Sequence, residues 1–164
     1  TFNHNIVPHP PYVYDRNGNQ PTDTTLPPGT VSEWQDVARY IDQLIYTNKR
    51  MEEFVDYVLD RSTVEPIIII QGDHGPASTC CVGGRRGFSE PTDALVLERT
   101  AILNAIYVPE SCRSDLYPSI SPVNNLRVVF NCLGADLPLL EDETYWSDSG
   151  SNFDRTPIDF SLLE

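Results

Sequence analysis

The chain is short of positive charge. Its 164 residues carry 11 Lys and Arg against 24 Asp and Glu, giving a formal net charge of −13 at pH 7 and a pI near 4.4. Nucleic-acid binding needs a basic face to neutralise phosphates, so the composition argues against that class. An anionic substrate would have to be held by local positive charge, either a metal ion or a few arginines; otherwise the acidity serves solubility. Long hydrophobic runs are also missing: nothing approaches the length of a membrane span, and no signal peptide is visible. Among Cys80, Cys81, Cys112 and Cys132 there is no C-x-x-C pair, which speaks against a structural zinc site. Adjacent cysteines rarely bond each other, and either Cys80 or Cys81 could reach Cys112 in an oxidising compartment. No internal repeat is present. The chain opens on Thr1, not a natural start, and residues 1–7 read as a strand cut out of a longer protein, so a fragment is expected.

What is present supports one domain with a core, since 40% of the residues are hydrophobic. The organising stretch is Ile67-Ile68-Ile69-Ile70-Gln71-Gly72-Asp73-His74-Gly75-Pro76. Four β-branched residues without alternation predict a strand buried on both faces, as in the centre of a parallel sheet. Ligand chemistry in open α/β sheets collects beyond the carboxyl ends of strands, which is where Asp73 and His74 fall. A carboxylate beside an imidazole suits a divalent metal, and the flanking glycines permit a tight turn. The competing reading is a solvated turn with Asp73 as a cap.

The rest of the chain fits around that strand. Pro8-His9-Pro10-Pro11 holds His9 in extended backbone at the end of the first strand, or else makes a rigid surface loop. Residues 15–30 and 77–97 read as irregular loops, and 140–164 as an acidic tail ending in a short strand near Phe160–Leu163. Ser32 and Gln35 form a capping-box pattern. Apolar residues then recur at three- and four-residue steps to about Asp60, predicting one long amphipathic helix on which Gln43 and Asn48 face a site or are satisfied locally. Arg85 and Arg86 stand out in an acidic chain and could clamp an anion, or simply be solvated. Residues 98–109 contain a second buried-type strand, and Val123–Leu133 a helix stopped by Gly134.

Several of these pieces resemble one superfamily. Val7-Pro8-His9-Pro10-Pro11 is similar to the A-P-H-x-P segment of sulfatases. Ile69 to Gly75 resembles the G-D-H-G metal segment of lipoteichoic acid synthases and phosphonate monoester hydrolases. Glu98-Arg99 ahead of Pro109 looks like their E-x-x-R-x-P strand, and Ser119–Asn124 through Pro138 stands where they carry S-x-x-D-x-x-P-T-L-x-x-L-G. The resemblance runs over about residues 7–138 and implies that residues 1–164 are the C-terminal portion of a single sulfatase-like catalytic domain. The implied fold is part of an alkaline-phosphatase-like α/β fold, a mostly parallel sheet flanked by helices with its N-terminal part missing.

The implied activity of the full-length protein is cleavage or transfer of a sulfate or phosphate ester through a covalent intermediate, assisted by a divalent metal (Ca, Mn, Mg or Zn). Asp73 and His74 match the metal ligands, and His9 matches a residue that contacts the ester or protonates the leaving oxygen. Arg85 and Arg86 are candidate substrate contacts. No segment matches the family's Thr, Ser or formylglycine nucleophile, and Asn124 stands where the family has an aspartate. The fragment alone is therefore expected to be inactive, with an anionic ester as substrate, the missing N-terminal part as partner, and an extracytoplasmic location with a possible membrane tether upstream. A non-catalytic interaction domain, with residues 15–30 and 77–97 as binding surface, is the alternative. A thiol–metal protein is a third.

Overall fold

The computed structural model describes residues 1–80 and 92–143 in full and the backbone of Tyr145–Ser147 and Arg155–Pro157. The described residues are mostly helical. The order is a 3-10 turn at Glu33–Gln35, α1 (Val37–Arg61), β1 (Ile68–Gln71), α2 (Asp93–Thr100), β2 (Asn104–Tyr107), a 3-10 helix at Glu110–Asp115, α3 (Pro122–Cys132), and β3 (Tyr145–Ser147) with β4 (Arg155–Pro157). β1 pairs β2 antiparallel, Ile68 opposite Tyr107 and Gln71 opposite Asn104, and β3 pairs β4 antiparallel. No parallel sheet exists among the described residues, so the expected α/β architecture with a mostly parallel sheet is corrected. The isoleucine run records a need for burial, which does not specify the direction of the neighbouring strand. Ile68–Ile70 are half-buried, not enclosed on two faces.

The chain divides into two compact units, residues 1–57 with 76–98, and residues 58–75 with 99–164. In the first unit the capping box forms as predicted: Ser32 accepts from Trp34 N–H, and the Gln35 side chain accepts from Ser32 N–H. It closes only the 3-10 turn. Asp36 then caps α1, accepting from the Arg39 N–H, so the long helix begins five residues after Ser32.

The α1 face bearing Tyr40, Gln43 and Tyr46 takes the N-terminal segment. Tyr12 packs edge-on against Tyr40, and Tyr14 lies tilted against Tyr46 at 4.9 Å. Between them the fully buried Gln43 accepts from the Val13 and Tyr14 N–H groups at 2.7 and 3.1 Å and donates to the His9 carbonyl at 3.2 Å. Gly18 sits at φ +87° with Tyr46 so close that a Cβ would fall 2.4 Å from its ring, which leaves room only for glycine. The expected strand over residues 1–7 is absent: Phe2 and Ile6 are exposed and no described strand pairs with them. Residues 7–11 instead make turns, with cis bonds at Val7–Pro8 and Pro10–Pro11. The irregular stretch expected over 77–97 is corrected at its end, where Asp93–Thr100 is helical and buries Leu95 against Ala77 and Cys80.

In the second unit the core is Val108, Cys112 and Val129, with Ile67, Ile69 and Ile106 packed on it. The odd-numbered isoleucines face this core, the period-two signature of a strand. α3 has Pro122 in its first turn and ends in a Schellman motif: Gly134, at φ +96°, donates to the Asn131 carbonyl and Ala135 to that of Phe130. Cys112 bonds Cys132, joining the 3-10 helix to the end of α3. This corrects the pairing of Cys112 with Cys80 or Cys81; Cys80 is itself disulfide-bonded. The expected strand near Phe160–Leu163 lies outside the described residues.

Two outcomes are expected in urea unfolding followed by circular dichroism. Gln43→Leu, which removes the partner of the Val13 and Tyr14 N–H groups and of the His9 carbonyl, should lower stability by about 2 kcal/mol. Replacing Cys112 and Cys132 together by serine should cost about 3 kcal/mol, the loop-closure value for a crosslink spanning some twenty residues.

Candidate functional site

Asp73 and His74 follow β1 directly, at its carboxyl end. The β1–β2 pairing runs one residue past the strand through the Gly72 N–H, which donates to the Leu103 carbonyl. A Cβ at Gly72 would meet nothing closer than 3.7 Å, so its lack of a side chain is not what shapes this turn. Asp73 is exposed, with 85% of its side chain accessible, and its Oδ1 accepts from the His74 N–H at 3.0 Å. The other carboxylate oxygen lies 3.8 Å from Nε2 of His74, whose side chain is 32% accessible. The opposite edge of the imidazole faces protein: Nδ1 is 3.0 Å from the Gly75 carbonyl oxygen and 2.7 Å from Nη1 of Arg99. Nη1 also donates to the Gly75 carbonyl, and the buried Gly75 N–H donates to the Arg99 carbonyl.

One oxygen donor and one imidazole, with the second ring nitrogen against a backbone carbonyl, form a donor set that Mn, Zn, Mg or Ca can use, and the carbonyl contact is how metal-bound histidines are commonly oriented. The set comprises two donors; among the described residues no group of three or more His, Cys, Asp or Glu could hold a metal ion. Arg99 brings a positive charge against the same loop. It sits in the last turn of α2, ahead of β2, and nothing in its sequence context signals contact with a residue twenty-five positions earlier.

The other expected site residues fall elsewhere. His9 belongs to the first compact unit, whereas Asp73 and His74 belong to the second. Its ring packs edge-on against Trp34 at 4.7 Å, and its Nδ1 contacts the Pro10 carbonyl. Arg85 and Arg86 lie outside the described residues. No free thiol is present among the described cysteines, which removes the ligands of the thiol–metal reading.

Asn124 is fully buried in a structural network. Its Nδ2 donates to the Leu140 carbonyl and to Asp142, its Oδ1 accepts from the Leu140 N–H, and Tyr117 donates its hydroxyl to Asp142 at 2.6 Å. Desolvation raises the Asp142 carboxyl, but hydrogen bonds from Ser121, Tyr117 and Asn124 outweigh it and lower the pKa to about 2. No family model, curated protein or solved structure matches this chain.

Because the folded-state pKa of Asp142 is depressed, its stabilisation is complete above the ordinary carboxyl value of about 4 and is lost as pH falls toward about 2. Acid unfolding of the wild type should steepen across that window, and Asp142→Asn should flatten the same limb.

Proposed function

We propose that Asp73 and His74 are two ligands of a divalent metal in a hydrolase or transferase that acts on sulfate or phosphate esters. The observation that carries this reading is their geometry: a carboxylate and an imidazole side by side at the end of β1, with Nδ1 held against the Gly75 carbonyl and Nε2 turned toward Asp73. The order of the four segments resembling sulfatase-like proteins supports it. A bound metal would supply charge neutralisation at the ester oxygens and activation of the attacking group. This chain's part is to orient His74 through Gly75 and to offer the Asp73 carboxylate. The nucleophile and the remaining ligands would have to come from outside the described residues. The Cys112–Cys132 bond favours an oxidising, extracytoplasmic compartment. No helix among the described residues is long and apolar enough to cross a membrane.

A non-catalytic interaction domain is the second reading. It is favoured by large apolar side chains left open to water, Phe2, Val31 and Val64 among them.

In the full-length protein, Asp73→Ala is expected to remove metal-dependent cleavage of an aryl sulfate or phosphate ester by about a hundredfold or more, judged by kcat/KM with and without added metal. Undiminished turnover in that variant rejects the metal reading.

A further inference from the structure

The first compact unit contains a small cavity that the metal reading does not use. Tyr12, Glu33, Asp36 and Arg39 line it, and it is partly open to solvent. Its volume of about 30 Å³ holds one or two groups the size of a water molecule. Tyr12 is only 7% exposed, yet its hydroxyl has no hydrogen-bond partner. Buried hydroxyls are nearly always paired, so this one points to a ligand group that would satisfy it. Burial, then the charge of Asp36, with Tyr40 and Glu33 after it, holds the phenol above its ordinary pKa. The hydroxyl is therefore neutral and offers lone pairs as well as a hydrogen. The two carboxylates that act on it, Asp36 and Glu33, are the two that line the cavity, which places the hydroxyl toward that space.

The charges around the cavity choose the sign of the ligand. The Arg39 guanidinium is offset by two carboxylates, with Nε 3.3 Å from Asp36 and Nη2 3.9 Å from Asp23. Asp36 also accepts from the Arg39 N–H at 3.2 Å. The exposed Glu33 carboxylate pairs with no cation among the described residues. An anion would face that carboxylate unscreened, whereas a cationic donor would find acceptors in Glu33, Asp36 and the Tyr12 hydroxyl. Pro11 and the exposed Leu26 line the same cavity and give carbon an apolar surface.

We propose that this cavity binds a primary ammonium group on a short apolar stem, the nitrogen beside the Tyr12 hydroxyl and the Glu33 and Asp36 carboxylates, the stem along Pro11 and Leu26. An ammonium group is close to water in size and carries three donors. Its charge would answer the carboxylate that Arg39 leaves unpaired. The Thr24 hydroxyl, in the same lining, is a further acceptor.

The test is a titration of the nitrogen-15-labelled 164-residue chain with n-butylammonium chloride near neutral pH, where an alkylamine carries its proton. The amide signals of Tyr12, Leu26, Glu33 and Asp36 are expected to shift together and saturate. The expected Kd is about 1 mM, in the range open to a ligand of about five non-hydrogen atoms. Tyr12→Phe, which removes the hydroxyl and keeps the ring, should weaken binding by about tenfold. Glu33→Gln, at an exposed position, should weaken it by about threefold. Potassium chloride and butan-1-ol at equal concentration should produce no saturating shift. The proposal is overturned if butylammonium does not saturate these signals, or if either control does so as strongly. A folded Tyr12→Phe that binds like the wild type overturns it as well. Should Tyr12→Phe fold poorly, Glu33→Gln decides, and unchanged affinity there is equally fatal. Acetyl-Gly-Lys-Gly-amide then separates the sources of the ammonium group: tighter binding than butylammonium identifies a protein lysine, equal or weaker binding a free amine.

Discussion

Backbone polar groups removed from water need partners, and the described residues hold few ladders to supply them. Side-chain carboxamides do the work instead. Gln43 accepts from two N–H groups of the N-terminal segment and donates to a carbonyl, so that a stretch without secondary structure is fixed to α1. Asn124 makes the same kind of paired contact with both polar groups of Leu140, and Asn131 with both of Leu137, tying the segment after α3 back onto it. Asn125 joins Gln71 and Asn104, the last pair of the β1–β2 ladder, to α3. A carboxamide offers donor and acceptor at fixed spacing, which suits it to irregular backbone. The cost is that truncating any one of these removes the partners of several backbone groups at once.

This device explains what could be read from the sequence and what could not. The long α1 helix and the glycine stop of α3 are local signals, and both appear in the structure, though the apolar stripe of α1 is not core: its buried residue is Gln43, and Val37, Ile41 and Phe54 are exposed. Gln43 occupies a position on the α1 stripe where a polar residue looks like an interruption. Its partners, residues 9 to 14, are some thirty positions away, and no local pattern records them. The isoleucine run had the same weakness. It marks burial, and Ile67 and Ile69 do pack on Val108, Cys112 and Val129. The direction of its partner is decided by how residues 72–103 return to it, which no property of four isoleucines encodes. The strand expected over residues 1–7 failed for the converse reason: a strand needs a neighbour, and Phe2 and Ile6 are exposed, with no paired strand among the described residues.

The site was legible to about the same depth. Asp73 and His74 stand out because a glycine-flanked acid–imidazole pair ends an apolar run. The Arg99 contact was hidden, because an arginine in the last turn of a short helix is what the helix dipole favours in any case.

Charge gives that hidden contact its weight. The Asp73 carboxylate and the Arg99 guanidinium stand on either side of His74 with opposite charges, and under the metal reading a divalent ion would add two positive charges to the same loop. In a chain of net charge −13 the general field favours cations, but Arg99 opposes one locally, with its guanidinium against the His74 imidazole. Under that reading a bound ion would call for further anions close by. Additional carboxylate ligands would provide some of them, and a sulfate or phosphate ester the remainder. A site of this composition would hold its metal most firmly when the anionic substrate is present, which couples substrate binding to metal retention through ordinary electrostatics.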